Sequence, residues 1–208
     1  MKIEELGETG LIERIVKKFR VDKQTVTVGA GEDDCAVIDI DKAKGGHKYL
    51  VVTTDTVQES THFLAGISPF QIGWTSVAVN LSDIAAMGGI PRYALVSLAL
   101  PDSTEVDDVL KLYSGFIELA ARYEVAITGG DTTSAPIVFI SLTVLGTIKG
   151  NTLKPLTRCS ARPGDKIAVT GQLGAAAAGL KILKQKLRVS TQAVKDLKNS
   201  FLKPQPRI

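Results

Sequence analysis

Val79-Asn80-Leu81-Ser82-Asp83-Ile84-Ala85-Ala86-Met87-Gly88-Gly89-Ile90-Pro91, followed by the apolar run Tyr93 to Leu100, changes its character within a few residues. From Pro69 to Met87 the apolar Ile72, Val77, Val79, Ile84 and Met87 and the small Ala78, Ala85 and Ala86 predict a long, closely packed helix. Gly88-Gly89-Ile90-Pro91 stops it, and Tyr93 to Leu100 reads as a strand closed by Pro101. The same alternation extends outward. Cys35 to Ile40, Tyr49 to Asp55, Val125 to Ile127 and Pro136 to Gly146 read as strands. Leu11 to Phe19 reads as a short amphipathic helix, and Glu105 to Tyr123 as a helix capped by Ser103 or Thr104 with Asp107 and Asp108 in its first turn. The class is α/β or α+β, with no doubly wound strand order specified.

After Gly150 the texture changes, and a domain boundary is expected there. Leu153 to Asp165 reads as a loop, Lys166 to Gly171 as a strand, Ala175 to Leu187 and Thr191 to Leu202 as helices, and Lys203 to Ile208 as an extended end. One strand and two helices bury too little surface to stand alone. The second domain is expected to be incomplete and poorly anchored.

The chain of 208 residues is 44% hydrophobic and 23% charged, the balance of a folded globular protein. A net charge of +3, with basic residues scattered except for Lys181, Lys184, Lys186 and Arg188, excludes a nucleic-acid footprint. No apolar run approaches the roughly 18 residues of a membrane span, and the start Met1-Lys2-Ile3-Glu4-Glu5-Leu6-Gly7 carries acids where a signal peptide needs an apolar stretch, so none is expected. Two distant cysteines, Cys35 and Cys159, predict buried thiols, a reducing compartment and a cytosolic protein.

The familiar phosphate loops are absent: there is no G-x-x-x-x-G-K-[ST], and Gly29-Ala30-Gly31 lacks a third glycine. Gly171-Gln172-Leu173-Gly174 reads as a turn with close helix packing. The chemistry lies in the acids. Asp33 and Asp34 precede a strand, Asp55 ends one after Thr53 and Thr54, and Asp131 follows Gly129-Gly130 at another strand end. Asp83 sits inside an apolar helix, where an ionised carboxylate needs a partner. Carboxylates beside hydroxyls, with no His/Cys cluster, form a hard-oxygen set suited to Mg²⁺ and a polyphosphate. Strand ends are where open α/β folds bind ligands. His62 reads either as a polar loop residue or as a substrate contact; His47, beside Gly45-Gly46, is expected to face solvent.

These motifs identify a family. Glu5-Leu6-Gly7-Glu8-Thr9-Gly10-Leu11-Ile12, Asp33-Asp34-Cys35-Ala36-Val37, Thr53-Thr54-Asp55, His62-Phe63, Asn80 through Gly88, Gly129-Gly130-Asp131-Thr132-Thr133 and Arg158 through Asp165 run collinearly over the whole chain. In them the sequence resembles thiamine-monophosphate kinase, within the aminoimidazole ribonucleotide synthetase and selenophosphate synthetase superfamily. The N-terminal element, His62-Phe63 and Pro204-x-Pro206-Arg207 favour the thiamine kinase branch. The resemblance implies an α/β (α+β) fold: an aminoimidazole ribonucleotide synthetase-like ATP/Mg-binding and dimerisation domain over 1–150, with the start of an incomplete second α/β domain over 151–208.

It also implies transfer of the ATP γ-phosphate directly to thiamine monophosphate, giving thiamine diphosphate. Asp33, Thr53, Thr54, Asp55, Asp83 and Asp131 would hold Mg²⁺ ions. Tyr113, Gly129, Gly130 and Arg158 would contact ATP, and His62 the thiamine phosphate. Such transfer asks for positioning and cations rather than a covalent nucleophile. A homodimer is implied, built through the strands Tyr93 to Leu100 and Pro136 to Gly146. The family's pattern is departed from at Glu32 and Ser160, where glycines are usual, and in the lack of an Asp-x-Ser-Asp-Gly motif. The chain as it stands is therefore expected to be a fragment that binds Mg²⁺ and ATP weakly and turns over little. A non-catalytic nucleotide-binding module, aminoimidazole ribonucleotide synthetase and selenophosphate synthetase are the alternatives.

Overall fold

A computed structural model describes residues 2–45, 47–148, 154–185 and 191–208. The boundary expected at Gly150 and the helix end expected at Leu187 lie outside the described residues. Helix α1 spans Ile3–Val16; strands β1 (Val26–Val28), β2 (Ala36–Asp39) and β3 (Tyr49–Gln58) follow, then α2 (Pro69–Ala86), β4 (Gly89–Leu100), α3 (Val106–Arg122), β5 (Ala126–Ser134) and β6 (Phe139–Ile148). Helices α4 (Ala175–Lys184) and α5 (Gln192–Leu202) complete the chain.

The six strands form one sheet in the order β1-β2-β3-β6-β4-β5. Strands β3 and β4 both run antiparallel to β6, which lies between them, so α2 carries the chain across β6 from one to the other. Strands β4 and β5 pair in parallel with α3 as their crossover. Helices α2 and α3 cover one face. Val51, Val96, Leu98, Ile140, Leu142 and Val144 from the sheet meet Trp74, Leu81, Ile84, Phe116 and Leu119 from the helices in one core. The two helices touch where glycines allow it: a Cβ on Gly73 would collide with the carbonyl of Leu112, and one on Gly115 with the carbonyl of Phe70. On the opposite face of the sheet, Tyr93 (53%), Leu95 (41%) and Phe139 (37%) remain exposed.

Several local expectations are corrected. Helix α1 begins at Ile3, is broken at Gly7 (φ 72°) and stops at Val16, short of Phe19. None of its residues is buried; Ile12 and Val16 lie against the turn at Gly31. Helix α3 starts after Glu105, with no side-chain cap from Ser103 or Thr104. Strand β5 carries Gly129, Gly130 and Asp131 in its interior rather than beyond its end, since the close β4 ladder, through Val96 and Ser97, extends alongside them. Residues 166–170 form no strand, for no neighbouring strand runs beside them, and Ile167 is 96% exposed. His47 is exposed, as expected, and is also tied down: its Nδ1 lies 2.6 Å from Oδ2 of buried Asp39. That contact holds the Asp39 carboxyl below the usual carboxylate range.

The region after residue 153 is anchored at both ends, contrary to expectation. Leu156 N–H donates to Met87 O (3.1 Å). The indole N–H of buried Trp74 donates to Pro204 O (2.7 Å), and the Tyr123 hydroxyl to Pro206 O (2.7 Å). The Lys203 ammonium stands 4.3 Å from the Trp74 ring centre.

Candidate functional site

The alternation of β3 sorts its side chains between the faces of the sheet. Thr53 and Asp55 point toward α2, and Thr54 points away. On α2, Asp83 faces them. The Thr53 hydroxyl is 3.0 Å from Asp83 Oδ2 and 3.3 Å from the carbonyl of Asp34. The backbone N–H of Asp55 donates to Oδ1 of Asn80 (3.1 Å), one turn before Asp83. Burial holds the carboxyls of Asp83 and Asp55 above the ordinary range; the Asp55 charge adds to the rise at Asp83. Cys35, beneath them, is buried and its thiol is pushed up to about 12, first by burial and then by the Asp83 charge. It is inert as a nucleophile.

Asp33 and Asp34 sit at the end of this junction. The Asp33 side chain is only 4% exposed and accepts the backbone N–H of Asp34 (3.0 Å) and of Arg158 (2.9 Å). The Arg158 guanidinium bonds Asp34 and lies 3.6 Å, through Nε, from Asp33. The departures at Glu32 and Ser160 fall in the turns beside these residues. Gly29 N–H donates to the Glu32 carboxylate (2.6 Å), and Ser160 pairs with Thr157 (2.8 Å).

The remaining candidates lie elsewhere. The Thr54 hydroxyl faces Ser141 and Thr143 on the open face of the sheet. Asp131 is exposed and pairs with Ser97, which is level with Ser141 and Thr56. That is three strands from β3, roughly 14 Å at the usual strand spacing. Gly130 lies so close to Val96 that a Cβ would strike its carbonyl, and Gly129 packs beside Leu95. Tyr113 lies on α3, edge-on to Phe116 with 5.1 Å between ring centres. His62 is exposed after β3; its Nδ1 accepts Gln58 N–H (3.2 Å), so a neutral ring carries its proton on Nε2. Gly171 (φ 84°) and Gly174 (φ 85°) are turn residues, as read.

Among the described residues no three acidic, histidine or cysteine side chains are gathered closely enough to bind an ion unaided. At the β3–α2 junction Thr53 and Asp83 bond each other and Asp55 lies near enough for its charge to act on Asp83; these donors, and Asp33 at the edge, are all oxygens, of the kind a hard divalent cation takes. Arg158 supplies positive charge to Asp33 and Asp34, and its charge reaches Asp83. Sequence reasoning assigned no role to Asn80 and no partner to Asp34. The signal for Asn80 was present: a polar side chain three residues before Asp83 on the buried face of a helix.

Residues 32–148 match the family model AIR synthase related protein, N-terminal domain. The thiamine-monophosphate kinase of Escherichia coli (strain K12) is 38% identical over 205 residues, which are 97% of this chain and 60% of that protein. That of Bacillus subtilis (strain 168) is 37% identical over 207 residues, 98% and 61% respectively. The solved structure AaThiL complexed with AMPPCP and TMP superimposes with a TM-score of 0.87 at 33% identity, over 100% of this chain and 62% of that one. The chain thus spans about 60% of the length of the curated relatives it matches. By sequence and by fold, the chain belongs to the AIR synthase related protein family and carries its N-terminal domain.

Proposed function

We propose that this chain serves the ATP-dependent phosphorylation of thiamine monophosphate to thiamine diphosphate, by direct γ-phosphoryl transfer with Mg²⁺. The observation that carries this reading is the convergence of Thr53, Asp55 and Asp83 at the β3–α2 junction, with Asp33 at its edge, in a chain 38% identical to a thiamine-monophosphate kinase. Mg²⁺ supplies charge neutralisation of the polyphosphate when bound. Asp33, Asp55 and Asp83 would hold it, with the Thr53 hydroxyl beside them. Arg158 presents a fork of N–H donors suited to phosphate oxygens. His62 keeps Nε2–H free to donate to the acceptor phosphate. Gly129 and Gly130 keep β5 bare of side chains for a nucleotide, and Tyr113 offers a ring.

Thr54 and Asp131 serve on the open face. That face, with Tyr93, Leu95 and Phe139 exposed, is the surface through which a second copy would pair, giving a homodimer. A cytoplasmic setting goes with a biosynthetic kinase and with two free cysteines; among the described residues no helix is long and apolar enough to cross a membrane.

Calorimetric titration of the chain with AMPPCP tests the reading. Binding is expected to require Mg²⁺ and to be lost in Asp83→Asn while the fold is retained. His62→Ala is expected to weaken thiamine monophosphate at least tenfold and leave the nucleotide unaffected. Nucleotide binding that ignores both Mg²⁺ and Asp83→Asn overturns the site. The distance between Asp131 and Asp55 favours a second reading, a nucleotide-binding module without turnover. Mg²⁺-dependent binding without formation of thiamine diphosphate is its signature.

A further inference from the structure

We infer that Asn80 is a positioning residue that fixes Asp55 against Asp83, an assignment resting on the reading of these carboxylates as a divalent-cation site. Asn80 is fully buried, and both ends of its amide are used. Its Oδ1 accepts the N–H of Asp55 (3.1 Å), and its Nδ2 donates to the carbonyl of Ser76 on the preceding turn of α2 (3.0 Å). The second bond fixes the amide's orientation, so the oxygen and not the nitrogen meets Asp55.

The bond fills a gap in the sheet. Strand β2 runs beside β3 only as far as Val52, and Asp55 lies beyond it. The Asp55 amide finds its acceptor in the helix. Three residues further on, Asp83 takes the Thr53 hydroxyl (3.0 Å). Two residues of α2 spaced by three therefore grip two residues of β3 spaced by two. One grip alone leaves the helix free to turn or slide on the strand; two fix both motions, and with them the distance between the Asp55 and Asp83 carboxylates. An amide does this without adding a negative charge to a site where burial already raises both carboxyls. Apolar packing alone tolerates small slips that a two-point polar clamp does not.

The test is a Mn²⁺ titration, read by the paramagnetic resonance of the free ion, on the wild-type chain, Asn80→Ala, Ser76→Ala and Asp83→Asn, with circular dichroism and thermal unfolding of each. Ser76 is buried one turn from Asn80 and, among the described residues, its hydroxyl bonds only Ile72 O, so Ser76→Ala controls for lost packing. Asn80→Ala is expected to bind Mn²⁺ at least tenfold more weakly while folded, and Ser76→Ala to bind as the wild type does. Wild-type affinity in folded Asn80→Ala, or equal losses in both variants, overturns the positioning role. Equal Mn²⁺ affinity in wild type and Asp83→Asn instead overturns the cation site beneath it. Should Asn80→Ala not fold, hydrogen exchange of the wild-type Asp55 amide decides. It is expected to be as protected as the paired amides of β3 and slower still with Mg²⁺; free exchange overturns the proposal.

Discussion

Residues 26–148 close a core on themselves, whereas residues 154–208 lean on that core through a few attachments. In the first region Trp74, Leu81, Ile84, Phe116, Leu119, Ile140 and Leu142 are wholly buried. In the second, only Gly179 and Pro206 are buried among the described residues, and Ile167 and Leu173 are 96% and 84% exposed. What differs is the supply of partners: every strand from β1 to β6 has a neighbour, while residues 166–170 have none. The acidic site sits at the seam, with Asp33 and Asp34 on the self-supporting side and Arg158 on the leaning one.

The comparison breaks first if the core is opened. Gly73 and Gly115 hold α2 against α3 at a separation that no Cβ permits. Gly73→Ala is expected to lower stability by about 3 kcal/mol or more, the upper end of overpacking costs, because backbone and not a flexible side chain stands in the way. Chemical denaturation checks this, and no part of the second region should outlast the core on which it rests. A loss below 1 kcal/mol would show that the helices separate easily.

The leaning region sharpens the contrast. Tyr123→Phe removes the hydroxyl that holds Pro206 O and leaves the ring in place. The expected cost is about 1 kcal/mol, that of one hydrogen bond. The chain has one tryptophan, Trp74, whose indole N–H holds Pro204 O two residues away. Its fluorescence should therefore report release of the 203–207 segment well below the unfolding midpoint of the core. A single transition at all wavelengths would mean that the attachment is part of the core.

The sequence made the core legible and the seam obscure. Helix α2 and strands β3, β4 and β6 could be read because their burial follows from period, and period needs no knowledge of partners. The strand expected at 166–171 could not be judged that way: Lys166-Ile167-Ala168-Val169 has strand composition, yet a strand exists only beside another. The acids Asp55 and Asp83 were legible as carboxylates in improbable places. Their relation was not, for it depends on Thr53 meeting Asp83 across 30 residues of chain and Asn80 meeting Asp55 across 25. The face on which Thr54 and Asp131 project follows from sheet register, which a single sequence does not state.

The smallest effect is expected at the seam itself. Arg158→Ala removes a guanidinium from Asp33 and Asp34, but the backbone N–H of residue 158 still reaches the Asp33 carboxylate, and Leu156 still bonds Met87. The Arg158 side chain is 70% exposed, and exposed ion pairs contribute little to stability. The unfolding midpoint should therefore remain that of the wild type. Binding should change, and in opposite directions. Without the guanidinium, two carboxylates lose their countercharge, so Mg²⁺ alone should bind more tightly; the nucleotide loses a forked donor, so Mg-AMPPCP should bind more weakly. A residue that served only to tie the two regions together would move stability and leave both affinities alone. Calorimetric titration of Mg²⁺ with and without AMPPCP reads the two signs separately, and weakening of both would mean that Arg158 helps to build the cation site rather than competing for its carboxylates.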